Sequence, residues 1–151
     1  MNPVTILLAE DSPEDVELLR EAFEHHRFAA ELHPVSDGVE AMAYLRGEGE
    51  HAGAPQADMM LLDLNMPRMD GREVLAAVKN DPKLQSLPVV ILTTSNAPED
   101  VTRSYEHRAS AFLTKPPDFD AFLELTRRLG EFWLHAATLP SRAGASGHSV
   151  P

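Results

Sequence analysis

Three short stretches of this chain are apolar without alternation: "VTILLAE" (4–10), "DMMLLDL" (58–64) and "LPVVILTTS" (87–95). A strand with one wet face alternates apolar and polar residues, because successive side chains point to opposite sides. A continuous run is therefore buried on both faces. That condition belongs to parallel sheets covered by helices above and below.

The segments between them carry helical periodicity. In "SPEDVELLREAFEHH", Ser12 can cap, Pro13 suits the first position, and Glu14 and Asp15 favour the positive end. Val16, Leu19, Ala22 and Phe23 then share one face. "GVEAMAYLRGEG", "GREVLAAVKND" and "PEDVTRSYEHRA" read as further helices, and 118–139 as a long last one with Gly130 inside it. Two weaker strands complete the set: "AELHPVSD" (30–37), where Pro34 suggests an edge, and "SAFLTKP" (110–116). The order is strand–helix five times. Right-handed crossovers turn that order into a doubly wound, flavodoxin-like α/β fold, a five-stranded parallel sheet of order 2-1-3-4-5. One domain is expected over 1–139. The small, polar, Gly/Pro-punctuated stretch 140–151 reads as a disordered tail.

Charge narrows the function. Acidic residues number 24 against 13 basic ones, a formal charge of −11, so nucleic acid and anionic membrane surfaces should be repelled. No apolar run approaches the roughly 20 residues of a membrane span. The N-terminus lacks the basic region of a signal peptide, and there are no cysteines. A cytoplasmic protein is expected.

In doubly wound sheets, ligands bind beyond the carboxyl ends of the strands. The first predicted strand ends in Glu10-Asp11, the third in Asp63, the fourth in Thr93-Thr94-Ser95 and the fifth in Lys115-Pro116. Each has an ordinary explanation alone. Acids suit first helical turns, Thr suits strands, and Lys suits an exposed edge. Their arrival at one edge is harder to explain that way. Clustered carboxylates repel unless a cation joins them. A hard divalent ion with oxygen ligands, Mg²⁺ or alternatively Mn²⁺, answers that need. A cation beside a Lys and a Thr suggests phosphoryl transfer onto one of the carboxylates.

"LLAEDS", "LLDLNMPRMDG", "VVILTTS" and "AFLTKP" resemble the response-regulator receiver domains of two-component signalling, from about Val4 to Leu134. The intervals of 30 residues from Asp63 to Thr93 and 22 from Thr93 to Lys115 match the family pattern. The resemblance implies that Asp63 accepts a phosphoryl group from a sensor histidine kinase. Asp11, Asp63 and the backbone carbonyl of Asn65 would hold Mg²⁺, with Glu10 acting through water. Thr93 would be the switch hydroxyl and Phe112 the switch aromatic. Lys115 would pair with the phosphoryl group or, at rest, with Asp63, and the Lys115–Pro116 bond would be cis. Asn65 and Ser95 stand where family members tune dephosphorylation. Glu10 departs from the commoner Asp. The long "RGEGEHAGAPQADM" and the "EFW" ending are similar to the stand-alone regulators paired with bacterial phytochrome histidine kinases. No output domain is expected, so signalling would pass by a surface change to a downstream protein.

The last helix carries Phe122, Leu125, Leu129 and Phe132 on one stripe. Phe132, Trp133 and Leu134 follow Gly130, where little core remains. They are candidates for a partner surface, and a homodimer is the partner expected. Met59 and Met60 read as core. The seven histidines show no metal spacing and read as surface residues.

Other classes fit less well. An EF-hand loop fails because Pro67 and Arg68 stand where ligands and Gly are needed. A flavin site would need a phosphate loop where "AEDSPED" stands, and an aspartyl-phosphate phosphatase would need an acid where Asn65 stands. A phosphorelay intermediate, or a receiver-like module that binds proteins without phosphorylation, remains as the alternative.

Overall fold

The computed structural model describes residues 3–140. Apart from Pro140, the tail expected over 140–151 lies outside the described residues. Five strands, β1 (Val4–Ala9), β2 (Ala30–Val35), β3 (Met59–Leu62), β4 (Val89–Thr93) and β5 (Ala111–Thr114), alternate with five helices. The helices are α1 (Pro13–His25), α2 (Gly38–Arg46), α3 (Gly71–Lys79), α4 (Pro98–Glu106) and α5 (Phe119–Gly130). The strands pair in parallel in the order β2-β1-β3-β4-β5, as expected. Pro34 lies on the edge strand, opposite Leu8 of β1.

The unalternating runs form the middle of the sheet and are buried throughout β3 and β4. On one face, Leu7, Met60, Leu62 and Ile91 pack with Ala41 and Met42 of α2 and with Val74, Leu75 and Val78 of α3. On the other, Ile6, Leu8, Met59, Leu61 and Val90 pack with Leu19 and Phe23 of α1 and with Phe122 and Leu129 of α5. The helix starts follow local chemistry. Ser12, Asp37 and Asp118 cap α1, α2 and α5 with their side chains. Asp70 forms a capping box with Glu73 on α3. A Cβ on Gly71 would lie 2.1 Å from the carbonyl oxygen of Asp63. Only glycine lets the first turn of α3 come so close to the end of β3.

Three expectations change. The Lys115–Pro116 bond is trans, as are all the described peptide bonds. The two isomers of an X–Pro bond differ by only about 1 kcal/mol, so the residues at a turn do not fix the choice. The last helix does not stay α-helical, since Glu131–Ala136 form a π-helical turn. That wider turn moves the inward stripe one residue along. Trp133 and Leu134 pack on the α1–α5 core, whereas Phe132 is 55% exposed. Finally, His26, His33 and His51 are half-buried rather than surface residues, and His26 Nε2 lies 2.9 Å from the Leu123 carbonyl oxygen. Among the described residues, no helix is long and apolar enough to cross a membrane.

Candidate functional site

The strand ends converge at the carboxyl edge of the sheet. β1 carries Glu10 into a buried position and leaves Asp11 exposed just beyond it. β3, the next strand, carries Asp63 to the same edge, where it is buried. Thr93 ends β4 and is fully buried. Lys115 follows β5 and reaches back across the sheet, with a side chain only 6% exposed.

The Lys115 ammonium is the hub. It donates to Glu10 Oε1 at 2.5 Å, Asp15 Oδ2 at 2.8 Å and Asp63 Oδ2 at 3.4 Å. Asp63 uses its two oxygens differently, for Oδ1 accepts from the Asn65 backbone N–H at 3.2 Å. Glu10 Oε2 accepts from the Ser12 backbone N–H at 3.2 Å. Burial pushes the Glu10 carboxyl up to about 7, with the nearby Asp63 charge adding to the rise and Lys115 opposing it. Burial also opposes the Lys115 charge. Its hydrogen bonds to Asp15 and Glu10 outweigh that and hold the ammonium above the usual lysine range.

Carboxylate oxygens of Glu10, Asp11 and Asp63 all lie within 4.8 Å of one another. An all-oxygen acidic set of this kind fits a hard divalent cation such as Mg²⁺ or Mn²⁺. Two of these acids are buried and share a single ammonium, so a second positive charge would relieve their repulsion. Chemically, the site offers a fixed carboxylate beside a cation position and an ammonium. It can receive an anionic, oxygen-rich group.

The structure thus brings together Glu10, Asp11, Asp63 and Lys115. Thr93 ends the strand next to β3, and its Oγ1 accepts from the Ser95 backbone N–H at 3.4 Å. Asn65 is exposed, beside Asp63. Phe112 is half-buried against the α2–α3 side of the core, and its backbone N–H donates to Tyr105 Oη at 3.2 Å. Phe132, Trp133 and Leu134 stand apart from the cluster. The last helix runs away from this edge and packs near Phe28, just before β2.

Sequence reasoning missed Asp15. It gave that residue to the positive end of α1, which also draws acids. The usable signal was its place three residues past the cap, one turn from the Glu10-Asp11 pair. Arg72 and Asp100 were missed as well; they are joined in a two-point ion pair between α3 and α4.

Residues 6–127 match the family described as response regulator receiver domain. "Response regulator Rcp1" of Synechocystis sp. is 42% identical over 139 residues, 92% of this chain and 95% of that protein. The Mn²⁺-bound form of Rcp1 superposes with a TM-score of 0.87 at 42% identity, covering 92% of this chain and 100% of the other. The phosphorylated cyanobacterial phytochrome response regulator RcpA gives a TM-score of 0.87 at 45% identity, covering 92% and 99%. Motif spacing, strand order and strand-end acids agree with that likeness along nearly the whole chain, which belongs to the response regulator receiver domain family.

Proposed function

We propose that this chain is a phosphoryl-accepting switch and that Asp63 is its acceptor. One observation carries the reading: Asp63 is held between the Asn65 N–H and the Lys115 ammonium, within cation-sharing distance of Glu10 and Asp11. An Asp63 oxygen attacks the phosphorus of a kinase phosphohistidine. A P–O bond forms, the P–N bond breaks, and the imidazole leaves. Asp11, Asp63 and the Asn65 carbonyl would hold Mg²⁺, and Glu10 would act on it through water. The ion neutralises phosphoryl charge when bound. Lys115 shifts from Glu10 and Asp15 toward the new oxygens. Thr93 turns its hydroxyl to another of them, and Phe112 follows with β5. The chain thus promotes only its own phosphorylation and dephosphorylation.

Incubation with Mg²⁺ and acetyl phosphate tests this. Hydroxylamine-sensitive phosphate is expected on wild type and not on Asp63→Asn. Label that persists in Asp63→Asn would overturn the assignment.

The phosphodonor is a cytoplasmic histidine kinase, specifically that of a bacterial phytochrome. Likeness to a regulator named for a cyanobacterial phytochrome supports this. Phosphotransfer from a purified phytochrome kinase, faster than from unrelated kinases, is the result to look for. We further propose that the chain is a homodimer through the end of the last helix, where Phe132 stands exposed beside the half-buried Trp133 and Leu134. The exposed Phe132 ring, T-stacked on Trp133, supports that surface. Sedimentation as a monomer at micromolar concentration, with and without phosphate, would rule it out.

A further inference from the structure

α4 has the thinnest hold on the core. Ser104 is its one buried residue, and Ala97, at its cap, offers no side-chain hydrogen bond. Its first turn is held from α3 instead. Arg72 donates Nε to Asp100 Oδ1 and Nη2 to Asp100 Oδ2, both at 2.9 Å. Such a planar, two-point pair fixes orientation as well as distance. Asp100 Oδ2 also accepts from Ser95 Oγ at 2.7 Å, and the Ser95 N–H donates to Thr93 Oγ1 at 3.4 Å. At the other end, Arg72 Nη1 reaches the Leu64 carbonyl oxygen at 3.4 Å. The bonds run from the residue after Asp63, through Arg72, Asp100 and Ser95, to Thr93.

Capping does not account for Arg72. Asp70 and Glu73 already close α3, and a cation in a first turn works against the helix dipole. A cavity of about 100 Å³ lies beside the pair, lined by Arg72, Leu75, Asp100, Arg103, Ser104 and His107. α4 therefore has unfilled space along the side that faces α3.

We propose that Arg72 and Asp100 are positioning residues, which act through Ser95 to keep the Thr93 hydroxyl in its resting place. This rests on the reading of Asp63 and Thr93 given above. The Ser95 N–H anchors the Thr93 oxygen, and a move of the hydroxyl toward a phosphoryl group carries it away from that anchor. The Arg72–Asp100 pair holds Ser95 in place and opposes that step. Weakening the pair enlarges the population ready to react.

The test compares phosphorylation rate with Mg²⁺ affinity in the full chain, using acetyl phosphate as donor. Arg72→Gln, Asp100→Asn and Ser95→Ala are each expected to form aspartyl phosphate about three- to tenfold faster. For Ser95→Ala, which changes no charge, Mg²⁺ affinity should stay within about twofold of wild type. The Arg72→Gln/Asp100→Asn double variant should be no faster than either single one, because both break one link. A merely structural role would not raise the rate at constant Mg²⁺ affinity. Folded variants at the wild-type rate, or additive effects in the double variant, overturn the inference. If an ion-pair variant fails to fold, Ser95→Ala decides, since it leaves the pair intact, and an unchanged rate overturns. The two readings separate cleanly. A wild type that takes no phosphate on Asp63 removes both, whereas one that does, with unresponsive variants, removes this inference alone.

Discussion

The Lys115 ammonium lies 2.8 Å from Asp15, closer than the 3.4 Å that separates it from Asp63. Its firmest contacts are therefore with carboxylates other than the proposed acceptor. Lys115→Met leaves Glu10 and Asp63 buried together without a counter-charge. Breaking such a buried pair costs about 3 kcal/mol or more. Asp15 is partly exposed, and its pair is worth about 0.5–1 kcal/mol. Urea unfolding at neutral pH, in metal-free buffer, should rank Lys115→Met well below Asp15→Asn. Equal stabilities would mean that the cluster is not held through Lys115.

Mg²⁺ should stabilise the native chain, because the unfolded chain cannot bring Glu10, Asp11 and Asp63 together. At a hundred times the dissociation constant the gain is about 2.7 kcal/mol. Thermal unfolding with Mg²⁺, and again after a chelator, measures it. Asp11→Ala should lose most of the gain, and Asp15→Asn should keep it. A full Mg²⁺ response in Asp11→Ala would move the ion elsewhere.

Asp37 gives a pH signature. Burial would raise its carboxyl, but the Glu40 N–H and the Arg68 guanidinium outweigh that and hold it below the usual range. A carboxyl lowered on folding contributes stability that is complete above its unfolded value, about 3.9. That contribution fades as pH falls through the lower folded value. Asp37→Ala, which also removes the α2 cap, should cost about 1–2 kcal/mol at pH 7. Melting curves of the two proteins should converge as the pH is lowered below about 3.9 and through the lower folded value. A gap that stays constant or widens in acid would contradict the assigned shift.

Gly71 is a matter of space. A Cβ there would meet the Asp63 carbonyl oxygen at 2.1 Å and Leu64 Cα at 2.7 Å, and backbone cannot swing aside as a side chain can. Gly71→Ala should cost about 3 kcal/mol and weaken Mg²⁺ binding by displacing Asp63. Gly53, with nothing within 4 Å of its added Cβ, is the control and should tolerate Ala. Chemical denaturation beside Mg²⁺ titration reads both effects.

Much of this was legible in the sequence, for one reason. Strands buried on both faces cannot hide their pattern. The runs ending in Glu10, Asp63 and Thr93 announced the three central strands and, with them, the edge where the acids gather. Pro34 marked its edge strand because a missing N–H is tolerated only there. What stayed hidden depends on approach between distant elements. Asp15 meets Lys115 across 100 positions, and Arg72 meets Asp100 across 28. Each of these acids already had a sufficient local reason to stand in a first helical turn. Local sufficiency masks a tertiary role. The isomer at Pro116 and the π turn were hidden differently, since each is chosen by small energy differences that residue types do not encode.

The π turn also bears on the last helix. Glu131–Ala136 wind more loosely than the helix before them, so each side chain advances by a smaller angle. At that pitch Trp133 and Leu134 face the core and Phe132 faces out. At the pitch of an α-helix, about 100° per residue, Phe132 would swing back toward the stripe of Leu125 and Leu129, and Leu134 would leave it. The same six residues thus hold two alternative apolar faces. Winding, not composition, selects the one this end of the molecule shows.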